Sequence, residues 1–337
     1  MNWTRFLRTL IASFIILVAL VYTLIVLVDP YQNIPFSLPF DRAPISTNQR
    51  FAYPALARDP RFDSVIIGSS TVRLLNPENL DELTGARFAN LAMNSATAYE
   101  QMRTHELFLR HHPSATYVII GIDDSWCRLE TSYEKYTFRA FPEWMFDDNR
   151  WNDLLYMFND KALENTVRLL EFVAGSREAK YEMNGYRDFT ADSGIYDALI
   201  VNRRLYPLGS PSQRQGPDVT PRREHGDWQY ASHSLLAQLL EATPQSATTL
   251  LLFAPLHGYT LQRGEATYRE CKARILEMAN LRDVSVMDYM IDSPITRDDG
   301  NYWDPLHYTS AIARSIEGDI AAHIGGSSPS QERFVVY

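Results

Sequence analysis

The sequence predicts an α/β fold on a parallel sheet, tethered by a single N-terminal transmembrane helix. Three observations predict it. Residues 9–28 run without a charge, behind Arg5 and Arg8. Short aliphatic, β-branched runs at 63–67, 115–120 and 248–253 stop at Gly, Ser, Asp or Pro, as buried strands do where they turn into polar loops. A stretch of helical spacing separates the first of them from the next. Strand, helix, strand, with polar residues at the strand carboxyl ends, builds a parallel sheet.

Taken in order, residues 1–8 form a short cytoplasmic N-terminus and 9–28 the membrane span, closed by Asp29-Pro30. About 20 residues cross ~30 Å of hydrocarbon. A cleavable signal has a shorter apolar core, roughly 7–15 residues, and a small-residue cleavage site; no Ala-x-Ala follows here. The run therefore predicts an uncleaved signal anchor. The arginines hold its start in the cytoplasm, and everything after Asp29 lies outside, in the periplasm where the cell has one. Residues 29–60, rich in Pro, Asn and aromatics without a period, predict a stalk that lays itself over the domain. The globular domain is 61–325.

Within it, 63–67 is the first strand, 79–83 a helical turn and 87–91 a second strand. A helix at 97–110 stops at His111-His112-Pro113, since proline cannot continue it. The strand 115–120 ends at Gly121-Ile122-Asp123-Asp124. Residues 125–245 read as an insertion over the sheet's carboxyl edge rather than a separate domain. One helix is predicted over 153–173 from Leu154, Leu155, Phe158, Leu163, Val167 and Leu170, followed by a polar, aromatic, Pro- and Gly-rich stretch over 175–227, the character of a lid or binding loop. Trp126, Trp144, Trp151 and Trp228 lie in or beside it, as packing or as platforms for sugar rings. The sheet resumes at 248–253, with a helix at 265–279, a strand at 284–288 and a helix at 309–323. The tail, 326–337, is polar and then reads Phe-Val-Val-Tyr.

The formal charge is −9 and no basic stripe stands out, which argues against a nucleic-acid partner. Cys127 and Cys271 are the two cysteines; they are one disulfide or two buried thiols, since sequence does not give the geometry a bridge needs. No Cys/His/Glu set has metal-ligand spacing and no Gly-rich loop follows a strand, so neither a metal nor a cofactor is expected.

Two stretches carry chemistry. Gly68-Ser69-Ser70 leaves Ser70 at the carboxyl end of a buried strand, the edge where ligands bind in open parallel sheets. Ser70 is there either an ordinary N-cap of the next helix or a nucleophile whose N–H and helix dipole favour negative charge. In Asp304-Pro305-Leu306-His307 the carboxylate can hold the imidazole Nδ1–H and leave Nε2 outward as a base, which a serine nucleophile requires. A structural turn with a surface histidine is the plainer alternative. Asp288, at the last strand's end, is a second carboxylate that could orient His307, and His257 is a loop residue that could line the pocket.

In these blocks and their order the chain resembles the SGNH (GDSL-like) hydrolase superfamily. Gly68-Ser69-Ser70 is similar to its Gly-Asp-Ser block, 90–96 sits at its Asn-led block, Gly121-Ile122-Asp123-Asp124 matches Gly-x-Asn-Asp, and Asp304 with His307 matches Asp-x-x-His. The resemblance spans 63 to about 323, the long insertion excepted. It implies a flavodoxin-like three-layer α/β/α domain with Ser70 as nucleophile, His307 as base and Asp304 orienting it. It also implies an oxyanion hole drawn from Ser70, Ser95, Asn94 and Asp123. Two residues depart from the pattern. Ser95 replaces the block's glycine, and Asp123 replaces an asparagine whose N–H would donate to the oxyanion. Loss of such a donor costs on the order of 10²–10³ in rate, so Asp123 is protonated, turned away, or replaced by a donor such as Asn94.

With its tether the chain is similar to anchored members that work on envelope polysaccharides, teichoic-acid D-alanyl transfer proteins among them, often beside a membrane-bound O-acyltransferase. The resemblance thus implies an extracytoplasmic serine esterase or O-acyltransferase acting on acyl esters, such as acetyl, of a cell-envelope glycan. The alternative is an inactive subunit of the same fold that binds glycan or scaffolds a membrane complex.

Overall fold

The computed structural model describes residues 2–38, 40, 42–190, 196–206, 228–327 and 332–337, the side chains of 263–266 excepted. The elements begin with α1 (Trp3–Val28), α2 (Gln49–Ala57), β1 (Ser64–Ile67), α3 (Pro77–Thr84), β2 (Phe88–Asn90), α4 (Ala98–His111) and β3 (Tyr117–Ile122). Then follow α5 (Asp124–Cys127), α6 (Asp153–Tyr156), α7 (Asp160–Val173), α8 (Ala198–Leu205), α9 (His233–Ala242) and β4 (Thr248–Phe253). The chain closes with α10 (Gly258–Asn280), β5 (Ser285–Asp288), α11 (Pro294–Arg297), α12 (Ser310–Ile324) and β6 (Val335–Val336). It divides into two compact units, Met1–Ala55 with Phe141–Met183, and Leu56–Ala140 with Asn184–Tyr337.

In the first unit α1 is long and apolar enough to cross a membrane; its 26 residues span about 39 Å at ~1.5 Å per residue. Ile25 and Val28 are its buried residues, while Leu10, Phe14, Leu17 and Leu20 are exposed. The stretch after α1 is itself folded: Tyr31, Ile34, Ile45 and Tyr53 are buried. Asp29 organises it, its carboxylate accepting from the N–H groups of Asn33 and Ile34 (3.1 and 3.0 Å) and from the Ser37 hydroxyl. Composition could not show this, because those contacts have no period. The single helix predicted over 153–173 is two, α6 and α7, broken where the Asn159 side chain accepts from Ala162 N–H at 2.8 Å and caps α7. Asparagine competes with the helix backbone in this way.

The second unit carries a six-stranded sheet in the order β2-β1-β3-β4-β5-β6. Pairs β1–β2, β1–β3, β3–β4 and β4–β5 are parallel. The order 2-1-3-4-5 reverses direction between β1 and β3, the place where such sheets open a crevice at the strand carboxyl ends. β6 pairs antiparallel with β5, Met287 opposite Val336. The tail therefore closes the sheet, because Phe334 is buried and stacks on Tyr289 at 4.6 Å.

Thr97 starts α4 with a capping box, its side chain accepting from Glu100 N–H and Glu100 answering to Thr97 N–H, the reciprocal arrangement that satisfies two orphan donors. α3 packs on α12 and α4 on α9. The helix predicted from 265 begins at Gly258, where His257 Nδ1 accepts the Tyr259 N–H at 3.3 Å. Cys127 of α5 and Cys271 of α10 form a disulfide with Cα atoms 5.4 Å apart, so the open alternative closes in favour of the bridge. Trp126 and Trp228 are buried, and Trp126 Nε1 donates to Gln101 Oε1 at 2.9 Å, which makes it a core residue. Of the predicted lid, 191–195 and 207–227 lie outside the described residues, as do 328–331 of the tail.

Candidate active site

β1 delivers Ile67 and Gly68 to the sheet's carboxyl edge, where Ser70 opens a single 3-10 turn, Ser70–Val72. The cap of that turn is Ser69, whose hydroxyl accepts from Thr71 N–H at 3.4 Å. The capping role that Ser70 could have filled thus falls to its neighbour. The following helix begins only at Pro77, so one tight turn, not a long helix dipole, sits beneath Ser70. Two glycines permit this. A Cβ on Gly68 would strike Val72 Cγ2, and one on Gly121 would lie 2.7 Å from both Val72 methyls. Val72 fills the notch between β1 and β3. From β2 the buried Asn90 amide donates to the carbonyls of Val72, Arg73 and Leu75, at 3.2, 3.4 and 2.8 Å, and so pins the same turn.

His307 arrives from the far end of the chain. Residues 301–309 form a tight loop, with Trp303 N–H donating to His307 O at 2.8 Å and Thr309 N–H to Asn301 O at 2.8 Å. His257 N–H donates to Pro305 O at 3.1 Å. In that loop Asp304 Oδ2 lies 2.7 Å and Oδ1 2.9 Å from His307 Nδ1. A carboxylate can only accept, so Nδ1 carries a proton, and in the neutral imidazole Nε2 is left free to accept. Nε2 lies 2.8 Å from Ser70 Oγ. Burial works to raise the Asp304 carboxyl, but the hydrogen bond and charge of His307 and the N–H groups of Leu306 and His307 outweigh it and hold its pKa below the ordinary value. Phe189 meets the His307 ring edge to face at 5.4 Å, and Asp188, accepting from Ser310 Oγ at 2.7 Å and Thr190 N–H at 2.9 Å, fixes the Phe189 backbone against the start of α12.

Asp123, at the end of β3, does not point a donor at Ser70. Its Oδ2 accepts from the hydroxyls of Ser69 and Thr71 (3.1 Å for Thr71), and its Oδ1 accepts from Ser125 N–H at 2.8 Å and Ser125 Oγ at 2.6 Å. The carboxylate is 4% exposed and both oxygens are engaged. It braces the turn that carries Ser70, which is the turned-away arrangement among those expected for Asp123. Asn94 Oδ1 accepts from Arg73 at 2.5 Å. Ser95 has a left-handed backbone, φ +52°, a conformation glycine adopts without steric cost. Asp288 is also excluded as the orienting group: it pairs with Lys272 at 2.6 Å. His257 sits behind the site, 2% exposed, with Nε2 2.9 Å from Asp299 Oδ1.

Ser70 and Ser95 line two cavities. One, of about 360 Å³, also holds Asp123, Asp124, Glu130 and Glu134; the other, about 260 Å³, holds His307, Asn94, Phe189 and Trp303 with three arginines, Arg73, Arg139 and Arg204. Sequence reasoning missed Arg73, Arg139, Phe189 and Arg204. Arg73 carries a faint signal, three residues after Ser70, whereas the others come from the insertion and have no motif. Among the described residues no group of three or more His, Cys, Asp or Glu side chains could hold a metal ion. No protein-family model and no curated protein matches the sequence.

Proposed function

We propose that the chain is a membrane-anchored, extracytoplasmic serine esterase or O-acyltransferase of SGNH type, acting on acyl esters of a cell-envelope or exported polysaccharide. The observation that carries the reading is the relay Ser70–His307–Asp304, at 2.8 and 2.7 Å, on residues 237 apart in sequence at a sheet edge where ligands bind. Hydrogen-bond reach is ~2.6–3.2 Å, and both links fall within it.

In this reading Ser70 Oγ attacks the ester carbonyl while His307 Nε2 takes its proton, and Asp304 holds the imidazole in the right tautomer. The N–H groups of Ser70 and Ser95 face the developing oxyanion. Collapse of the intermediate breaks the ester C–O bond, and His307 returns the proton to the departing alcohol. Water, or a glycan hydroxyl, then attacks the acyl-serine; His307 takes its proton, and Ser70 leaves with it. The acyl group ends as a free acid or a new ester.

Supporting the placement, α1 fits a signal anchor by length and composition, and Arg5 and Arg8 favour a cytoplasmic start. The disulfide belongs to an oxidising compartment. The partners of this reading are a glycan or acyl donor and a membrane-bound O-acyltransferase in the same membrane.

The test uses the full chain in detergent, exposed to a fluorophosphonate probe and to p-nitrophenyl acetate beside Ser70→Ala, His307→Ala and Asp304→Asn. Labelling and turnover are expected in the parent, absent in the first two variants, and reduced on the order of 10³–10⁴-fold in Asp304→Asn. A folded parent that neither labels nor turns over overturns the reading in favour of a glycan-binding or scaffolding module.

A further inference from the structure

We propose that the cavity shared by Ser70 and His307 takes an oxyanion on the substrate, a carboxylate or a phosphate; this rests on the serine-enzyme reading only for its meaning, since binding can be read without turnover. Arg73, Arg139 and Arg204 line it together. In a chain of net charge −9, arginines find carboxylates readily, as Arg61, Arg87, Arg128, Arg297 and Arg314 do. Among the described residues none of these three has a carboxylate partner. Among the described residues the one carboxylate lining the cavity is Asp304, already engaged by His307.

Arg73 and Arg139 are each held by something other than an anion. Arg73, 4% exposed, lies 4.8 Å over the Phe189 ring and donates to Asn94. Arg139 stands 4.7 Å over Phe138, and its Nε is shut from solvent without a partner among the described residues. An unpaired buried donor costs free energy until a ligand satisfies it, and guanidinium forks match carboxylate and phosphate oxygens. Arg204 ends α8. The other cavity at Ser70 carries Asp124, Glu130 and Glu134 against Arg128. A substrate spanning both is thereby oriented, its anionic part toward the arginines.

The test is calorimetric titration of full-length Ser70→Ala in detergent with trigalacturonate, glucose 6-phosphate and neutral cellotriose. At least one anion is expected to bind and cellotriose not; which anion binds names carboxylate or phosphate as the source. Arg139→Gln and Arg204→Gln should each weaken that binding about tenfold, while Arg177→Gln, whose arginine pairs with Glu171, leaves it unchanged. Cellotriose binding as tightly as the anions, binding indifferent to Arg139 and Arg204, or no binding by either anion overturns the proposal. Fluorophosphonate labelling of the parent is read separately, so failure of the serine reading leaves the anion result standing.

A different observation supports a second inference, which rests on α1 spanning the membrane: α7 lies in the headgroup region of that bilayer. Leu163, Val167, Leu170 and Val173 are all exposed apolar residues on α7, joined by Trp151, Leu155 and Phe158. Lys161, Glu164 and Arg168 fall on its other side by helical spacing, the pattern of an interfacial helix. Tyr22 of α1 donates to Leu154 O at 2.6 Å and meets Phe158 edge to face. Tyr22 is six residues before Val28, about 9 Å into the helix at ~1.5 Å per residue, so the segment touches α1 below its outer end. Spin labels at Leu17→Cys, Leu163→Cys, Val167→Cys and Glu164→Cys, with the full chain in phosphatidylcholine/phosphatidylglycerol nanodiscs, decide it; the native cysteines are paired. Labels at 17, 163 and 167 should favour oxygen over a water-soluble nickel chelate, and 164 the reverse. Nickel-favoured 163 and 167 with oxygen-favoured 17 overturns this inference; nickel-favoured 17 overturns the anchor and this inference with it.

Discussion

The carboxylate of Asp123 accepts the hydroxyl of Ser69, the residue immediately before Ser70. Asp123 is thus spent on the backbone turn that carries Ser70. Thr71 and Ser125 complete its set of donors.

Asp123→Asn replaces one acceptor by an NH₂ that faces donors. It is expected to lower unfolding free energy by about 1–3 kcal/mol and to give no gain in turnover of p-nitrophenyl acetate. Denaturant melts and initial rates check both. A tenfold rise in turnover would mean that Asp123 obstructs the oxyanion instead of bracing the turn.

Val72 and Gly121 form a second support of the same turn. Gly121→Ala places a methyl 2.7 Å from both Val72 methyls, an overpacking expected to cost about 1–3 kcal/mol and to slow fluorophosphonate labelling of Ser70. The double variant with Val72→Ala should recover part of both losses, since contacting sites are not additive. Additive losses would show that the contact does not set the turn.

The bridge between Cys127 and Cys271 closes a separation of 144 residues. Its removal in the Cys127→Ser/Cys271→Ser pair is expected to cost about 2–5 kcal/mol, read as a lower denaturant midpoint for the full chain. The same shift should follow reduction of the parent and be absent when the variant is reduced.

His105 is fully buried between α4 and α9, its Nε2 2.9 Å from Thr243 Oγ1. Burial lowers its pKa from 6.5 to about 3. The unfolded chain therefore takes the proton first, and stability falls as pH drops from about 6.5 toward 3. The slope is up to about 1.4 kcal/mol per pH unit. Between pH 6.5 and 5 the stability gap between the parent and His105→Gln should narrow by about 2 kcal/mol, measured by urea melts. An unchanged gap would show that His105 does not titrate in this range.

The sequence by itself determined the strands, the apolar N-terminal run and the two chemical stretches, because each is a local signal. Aliphatic runs ending in small polar residues mark 63–67 and 248–253, and Asp304 and His307 lie on one loop. It also reached Ser70, since a strand's carboxyl end is a position in the sheet and not merely in the chain. Only the tertiary structure decided what depends on partners far away in sequence. That Ser69 caps the turn while Ser70 meets His307, that Asp123 faces Ser69 rather than the oxyanion, and that Cys127 finds Cys271 all follow from side-chain directions at the ends of β1 and β3 and the faces of α5 and α10. The tail strand β6 and the arginine-lined cavity were illegible for the same reason: Val335 needs β5 to be a strand, and Arg73, Arg139 and Arg204 share no spacing until the fold brings them to one place.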